Sequence, residues 1–177
     1  MDPTWFIFRV DRNYDCATGS MSKKQSAGIL LYRMRAGTLE VFLTHPGGPF
    51  WAKKDAGSWS IPKGEFQDGD DPLEAARREF FEETGSPIDG TFVALVPLKQ
   101  RSGKIVHAFA VLGDIDAASI RSNTFSMEWP PHSGKQQEFP EVDTGEWFTI
   151  PAASEKLIAG HRGFLDELEI LLSSSDD

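Results

Sequence analysis

The sequence predicts one α/β domain in which a single mixed sheet carries helices on both faces. The first observation is that strand-like runs alternate with helical ones, which is typical of layered α/β folds. The second is that 177 residues with 40% hydrophobic content fit one ordinary domain with a substantial core. The third is that no internal repeat or linker divides the chain. We expect the domain at residues 25–172, an irregular or flexible extension at 1–24 and a frayed tail at 173–177.

The domain is expected to begin with a β-hairpin. Residues 27–33 and 39–45 are apolar, strand-like runs, and Ala36-Gly37 between them suits a tight turn. Residues 46–58 are rich in glycine and proline, so we predict a loop there that exposes aromatic side chains.

A helix with clear start and stop signals follows. A short strand at 59–61 leads to a turn at 62–64. Asp71 can then cap the free N–H groups of a helix whose first turn tolerates Pro72. Gly85 is a favourable residue just beyond a helix end, so the helix is predicted to stop there. Its apolar stripe is predicted to consist of Leu73, Ala76, Phe80 and Phe81.

The second half of the chain predicts three further strands and a helical end. Residues 91–97, 105–112 and 146–150 are the strand candidates. The stretch between the last two, which holds Trp129 and Phe139, is predicted to be a long polar loop. Apolar residues at helical spacing predict one or two helices packed on the sheet near the C-terminus: Leu157, Phe164, Leu165, Leu168, Leu171 and Leu172.

Charge and composition limit the partners. The net charge of −9 argues against a stable nucleic-acid partner, although a divalent cation can bridge an acidic protein to a phosphorylated small molecule. No apolar run approaches the ~20 residues of a membrane span, so no membrane partner is expected. The single cysteine, Cys16, excludes an internal disulfide and favours a cytoplasmic location. Monomer and homodimer both remain open, and the alternation of Phe6 and Phe8 allows a docking strand in the extension.

Several polar residues are predicted to have structural or surface roles. Arg101 and Lys104 flank a Ser-Gly turn and are expected on the surface of a hairpin. The histidines have no mutual spacing typical of a metal site, and each is expected to be structural or exposed: His45, His107, His132 and His161.

Three carboxylates share one face of the predicted helix. Glu79, Glu82 and Glu83 lie at positions i, i+3 and i+4, where like charges repel each other. They also lie near the C-terminal end of the helix, where the dipole disfavours anions. A divalent cation would neutralise them, and oxygen ligands favour Mg²⁺ or Mn²⁺ over zinc. The alternative is a solvated acidic helix face.

The spacing around these acids resembles a known motif. Reading along the chain, its specified positions are Gly64, Asp70, Arg78, Glu79, Phe80, Glu82, Glu83, Gly85 and Ser86. This pattern resembles the box of the Nudix hydrolases, Gly-x5-Glu-x7-Arg-Glu-U-x-Glu-Glu-x-Gly-U, where U is a bulky apolar residue. It departs from the box twice, because Asp70 replaces glutamate and Ser86 occupies the last apolar position. The resemblance implies a Nudix-type α/β/α sandwich and Mg²⁺-dependent hydrolysis of a diphosphate linkage.

The resemblance also implies roles for individual residues. The metal ligands would be Glu79, Glu82 and Glu83, with the Gly64 carbonyl as a further ligand. Arg78 would orient Glu79. Asp70 would support that pair from behind, although its side chain is one methylene shorter than glutamate and is expected to reach its partner less well.

Hydrolysis requires a carboxylate that takes the proton of the attacking water. Within the box the candidate is Glu79. In the later loop the alternatives are Glu138 and Glu141, of which Glu141 is preferred for its place beside Pro140.

The substrate is expected to be recognised outside the box by four loop aromatics and one lysine: Phe50, Trp51, Trp129, Phe139 and Lys63. Aromatic side chains on loops can stack on a nucleobase, at ~1–3 kcal/mol per base, or can cover the edge of the core. The lysine would contact a phosphate. Dinucleoside polyphosphates, sugar nucleotides and other nucleoside diphosphate derivatives all remain open as substrates. A Nudix-fold module that binds nucleotides or regulates without catalysis is the alternative function.

Overall fold

The computed structural model describes residues 24–174. The expectations for the N-terminal extension up to residue 23, and for the last three residues of the tail, lie outside this range. The strands are β1 (Gln25–Arg35), β2 (Thr38–Pro46), β3 (Lys63–Phe66), β4 (Val93–Ala94), β5 (Leu98–Lys99), β6 (Ile105–Leu112), β7 (Thr124–Glu128), β8 (Gln136–Pro140) and β9 (Val142–Thr149). The helices are α1 (Pro72–Thr84), α2 (Ile150–Lys156) and α3 (Gly163–Ser173).

Seven strands form one mixed sheet along the path β4-β6-β1-β2-β9, with β3 paired to β1 and β5 paired to β6. Strands β1 and β6 run parallel, and the other pairs are antiparallel. One edge of β1 is shared, because its first residues pair with β3 and its last residues pair with β2. This division brings β3 into the centre of the sheet, directly beside α1.

Two apolar cores lie on opposite faces of this sheet. On one face, Ile29 and Leu31 of β1 pack in a cluster with Phe80 of α1. On the other face, Leu30 packs in a cluster with Leu168 of α3. Because successive residues of a strand point to opposite faces, β1 contributes to both cores. The predicted fold class, one mixed sheet between helical layers, is confirmed. Within residues 24–174, no helix is long and apolar enough to cross a membrane.

The first hairpin and the box helix form where they were predicted. Ala36 and Gly37 have φ of 49° and 78° in the turn between β1 and β2. Asp71 caps α1 through its side chain, and Gly85 ends the helix in the left-handed conformation. Phe81 is 54% exposed, so its predicted place in the apolar stripe is wrong.

The predicted turn at 62–64 is instead part of an extended segment. Trp59 and Ser60 make only isolated bridges, to Leu157 and Thr44, while Lys63–Phe66 pairs with β1. Proline and glycine at these positions are common turn signals, but pairing with β1 overrides them.

The stretch between β6 and β9 is not the long loop that was predicted. Strands β7 and β8 form a separate two-stranded antiparallel sheet, in which Phe125 lies opposite Phe139. Half of the residues on these two strands are both polar and exposed, which conceals the strand pattern in the sequence.

The remaining strand and helix predictions differ mainly in length. The strand predicted at 91–97 is reduced to the two residues of β4, whereas the predicted last strand begins earlier, at Val142. The helical C-terminus forms two helices, α2 and α3, which was one of the two predicted arrangements.

Candidate active site

The closest approach in the site is between β3 and α1. A Cβ atom on Gly64 would lie 1.8 Å from Oε2 and 2.0 Å from Cδ of Glu79, so only glycine leaves room for this carboxylate. Glu79 is only 4% exposed. Two residues that the resemblance assigns to the metal are therefore in direct contact, although they are 15 positions apart in the chain.

Arg78 links two of the three acids. Its Nη2 donates to Oε1 of Glu79 at 3.1 Å, and its Nε lies 3.7 Å from Oε1 of Glu82. The planar guanidinium can hold both carboxylates because its donors have a fixed geometry. This contact is the one that the predicted orienting role requires, and its catalytic consequence stays a prediction.

Glu83 is held by the main chain of β3. The Lys63 backbone N–H donates to Oε2 of Glu83 at 3.2 Å. Burial raises the pKa of Glu83 to about 8, and the charges of Glu79 and Glu141 act in the same direction while the charge of Lys63 opposes them. These acids are thus close enough to repel each other, which a cation would relieve.

The chemistry of these donors fits a hard divalent cation such as Mg²⁺ or Mn²⁺. Among residues 24–174, no three His, Cys, Asp or Glu side chains converge on one point in the present conformation. Instead, Glu79 and Glu82 face Arg78, and Glu83 faces the Lys63 N–H.

Asp70 lies elsewhere than its predicted role requires. Its Oδ2 accepts a hydrogen bond from the Gln67 N–H at 3.1 Å, within an exposed turn before α1. The contacts of Arg78 within the described chain are with Glu79 and Glu82. The shorter aspartate side chain therefore stabilises its own turn instead of supporting the Arg78–Glu79 pair.

The two loop candidates for the general base have different surroundings. Glu138 lies on β8 and is exposed, opposite Ser126 of β7. Glu141 joins β8 to β9 and is half-buried, and its charge reaches Glu83. This placement favours Glu141, whose role as base stays a prediction.

Two of the predicted substrate aromatics form an exposed pair. Phe50 is 57% exposed and meets Trp129 edge-to-face, with ring centroids 5.5 Å apart. The ring of Phe50 is therefore available to a planar ligand, as the stacking hypothesis requires.

The other two predicted substrate aromatics are already engaged by protein groups. Trp51 is half-buried, with Lys54 Nζ 4.5 Å above its ring. Phe139 packs against Phe125, with centroids 6.1 Å apart, and so helps to hold the β7–β8 hairpin together.

The Lys63 side chain lies on the face of β3 opposite Glu79. Lys63 pairs with Gly28, and a Cβ on Gly28 would lie 2.6 Å from the Lys63 Cβ. Burial lowers the pKa of Lys63. The charge of Lys104 adds to this effect, while the charges of Glu83, Glu79 and Glu65 oppose it. Lys104 is not the exposed surface residue that was predicted, since its side chain is 15% exposed and binds Glu65 at 2.8 Å.

His161 completes the polar group on this second face. It is fully buried, and its Nε2 lies 3.2 Å from Nε2 of Gln100. Burial holds the pKa of His161 well below its ordinary value, and the charges of Lys63 and Lys104 act in the same direction. Nothing in the sequence pattern identified this cluster, because its members come from three separate segments: β3, the turn at 100–104 and the segment at 159–161. Each histidine was expected to be structural or exposed, and His161 is buried.

The fold is an α/β sandwich, and its candidate site consists of Gly64 on β3 and the acidic face of α1 that packs against it. The NUDIX domain family model matches residues 22–168, which include every residue of this site. The chain belongs to the NUDIX domain family.

Solved structures with the same fold include three that cover most of this chain. An Ap4A hydrolase from C. elegans, in a binary complex, has a TM-score of 0.59 at 19% identity and covers 85% of this chain and 98% of its own. The NUDIX domain of NrtR from Shewanella oneidensis, complexed with ADP ribose, has a TM-score of 0.58 at 15% identity, with 90% and 94% covered. A mutT/nudix family protein from Listeria innocua has a TM-score of 0.57 at 15% identity, with 88% and 98% covered. At these identities the likeness shows the fold.

An octanoyltransferase from Myxococcus xanthus is 34% identical over 101 residues, which are 57% of this chain. The match spans only 25% of that protein, so this chain corresponds to about a quarter of it.

Proposed function

We propose that this chain is a pyrophosphohydrolase that cleaves a diphosphate linkage in a nucleoside diphosphate derivative, with Mg²⁺ as cofactor and Mn²⁺ as a substitute. The observation that carries the proposal is the contact between Gly64 and the buried Glu79 carboxylate, with Glu83 held beside it. A solvated acidic face would need neither the glycine nor the burial.

Glu79, Glu82, Glu83 and the Gly64 carbonyl would hold the cation. Bound there, it would offset the charge of the diphosphate oxygens. The protein prepares this place by fixing carboxylates that would otherwise repel each other: Arg78 holds two of them, and the Lys63 N–H holds the third.

In the proposed reaction, a water molecule attacks one phosphorus in line. The bond from that phosphorus to the bridging oxygen breaks, and two phosphate-bearing products leave. Glu141 takes the proton of the attacking water, because it is half-buried and its charge reaches Glu83. Glu79 is a weaker candidate, since Arg78 stabilises its charged form.

The base of the substrate is proposed to stack on the exposed Phe50, with Trp129 fixing the orientation of that ring. Trp51 and Phe139 would shape the same loop and hairpin. The phosphate contact expected of the Lys63 side chain is not part of this proposal, because that side chain lies on the face of β3 opposite Glu79. The similar folds of the C. elegans Ap4A hydrolase and of the NrtR NUDIX domain complexed with ADP ribose support a substrate of this class. We propose residues 25–172 as the catalytic domain.

The test is to incubate the protein with Mg²⁺ and a panel of dinucleoside polyphosphates, sugar nucleotides and nucleoside triphosphates, in ¹⁸O-labelled water. Products are identified by chromatography and mass spectrometry. We expect cleavage at a diphosphate linkage, with one labelled phosphate. Replacing Glu83 by Gln should lower kcat/KM on the order of 100-fold or more, because several kcal/mol of charge stabilisation would be lost.

The matched control is Glu155→Gln, which removes an exposed acid on α2 and should leave activity unchanged. Full activity of the Glu83→Gln variant would show that the metal assignment is wrong. Binding of nucleotides without turnover across the panel would instead support the noncatalytic module.

A further inference from the structure

A short segment, residues 121–123, crosses the C-terminal end of α1 and is here called the strap. The Arg121 N–H donates to the Thr84 carbonyl at 2.8 Å, and the Asn123 N–H donates to the Glu82 carbonyl at 2.9 Å. The last carbonyls of a helix have no partners within the helix. The strap satisfies two of them and is thereby fixed relative to the acidic face of α1.

The strap also holds the main chain on both sides of the Glu141 α-carbon. The Asn123 carbonyl accepts from the Glu141 N–H at 2.8 Å, and the Ser122 hydroxyl oxygen accepts from the Val142 N–H at 2.9 Å. The same hydroxyl donates to the Asn123 carbonyl at 2.6 Å. Ser122 therefore uses its donor and an acceptor position at once, and joins the strap to the residue after Glu141.

The Glu141 carbonyl is fixed from a third direction. It accepts from the Gly47 N–H at 2.9 Å. A Cβ on Gly47 would lie 2.1 Å from the Pro140 carbonyl oxygen, so this approach requires glycine. The main chain of Glu141 is thus held by the strap on one side and by the loop that carries Phe50 on the other.

We propose that Ser122 is a positioning residue that acts through Glu141, by holding its main chain at a set distance from the acidic face of α1. The proposal rests on the proposed function, in which Glu141 takes the proton of the attacking water. Without the hydroxyl, the Val142 N–H loses this partner, and one of the three hydrogen bonds that hold the main chain around Glu141 is lost. A misplacement of about 1 Å can lower a rate on the order of 100-fold.

A double-mutant cycle tests this role. The variants are Ser122→Ala, Glu141→Gln and the double variant, with kcat and KM measured separately on a substrate from the panel. Glu141→Gln should lower kcat roughly 10²- to 10⁴-fold. Ser122→Ala should lower kcat about tenfold or more with KM unchanged, and should have no further effect in the Glu141→Gln background.

Three variants separate positioning from general stability. Ser122→Thr keeps the hydroxyl and should restore most of kcat. Ser126→Ala removes an exposed hydroxyl on β7 that makes no side-chain hydrogen bond within residues 24–174, and should match the wild type in both kcat and Tm. If Ser122→Ala fails to fold, Ser122→Cys replaces it in the cycle, since the thiol fills the space of the hydroxyl with a slightly larger atom and is a poorer acceptor.

Each outcome separates the proposals. The positioning role would be overturned if Ser122→Ala lowered kcat by the same factor in the wild type and in the Glu141→Gln background. It would also be overturned if Ser122→Ala left kcat unchanged. In both cases the proposed hydrolysis would stand. No turnover by the wild type on any substrate would overturn the proposed function and, with it, the role of Ser122.

Discussion

The two faces of β3 bury charges of opposite sign. Towards α1, Gly64 makes room for Glu79, and burial raises the pKa of Glu83. On the other face, burial lowers the pKa of both Lys63 and His161. Arg78 already stabilises the charges of Glu79 and Glu82, and a cation would stabilise them further, whereas burial favours the neutral forms of Lys63 and His161. One strand thus separates a face suited to a ligand from a face suited to structure.

The largest expected effect comes from breaking the acidic face at its closest contact. In Gly64→Ala, the new Cβ would overlap the Glu79 carboxylate, which would then have to move away from β3. We expect kcat/KM with Mg²⁺ to fall on the order of 100-fold. The control is Gly160→Ala, whose Cβ would meet only Gln100, at 3.4 Å, an ordinary contact. Normal activity of Gly64→Ala would mean that the buried position of Glu79 is not needed for catalysis.

A smaller effect should appear in the stability of the metal-free protein at alkaline pH. The pKa of Glu83 is raised from 4.5 to about 8 in the folded state, so the stability linked to its proton is present below pH 4.5 and is lost as pH rises through 8. Glu83→Gln keeps the neutral form, and its Tm should exceed that of the wild type above pH 8, by ~2–4 °C for each kcal/mol relieved. Thermal unfolding in EDTA measures this, and added Mg²⁺ should reverse the order. If the wild type were more stable than Glu83→Gln at pH 9 in EDTA, repulsion of the charged Glu83 by its neighbouring carboxylates would be contradicted.

The smallest expected effect lies on the basic face and has the opposite pH dependence. The folded-state pKa of His161 lies well below 6.5, so its neutral form stabilises the fold above pH 6.5, and this stability is lost as pH falls below that value. In His161→Gln, the decrease in Tm between pH 7 and pH 5 should be less steep than in the wild type. His132→Gln is the control, since this histidine is exposed. If the Tm of the wild type and that of His161→Gln fell in parallel with pH, His161 would not be the cause of the decrease.

The box helix could be predicted in detail because its signals are local. The cap at Asp71, the end at Gly85 and the shared face of Glu79 and Glu83 all follow from helical geometry within a few residues. Gly64 was assigned to the metal by the resemblance, which stays a prediction, whereas the structure shows a different need for glycine there. The backbone at Gly64 is extended instead of turned. Because β3 pairs with β1, Gly64 lies directly beside α1, and the approach of Glu79 from that helix requires glycine.

The remaining parts of the site depend on contacts between distant segments. Asp70 was assigned to the Arg78–Glu79 pair by its spacing, yet its carboxylate finds a nearer partner in the Gln67 N–H. Ser122 carries no signal in the sequence, because a serine in a polar loop is common and its partner, Val142, lies 20 residues away.

The sequence by itself therefore determined the family, the acidic face of α1 and the hairpin before it, since each depends on periodicity or on spacing within one segment. Only the tertiary structure decided that Lys63 and Glu79 lie on opposite faces of β3, that Glu141 is held by the strap, and that Phe50 meets Trp129. The physical reason is that these contacts form when strands pair over long separations, where register and burial outweigh the preferences of individual residues.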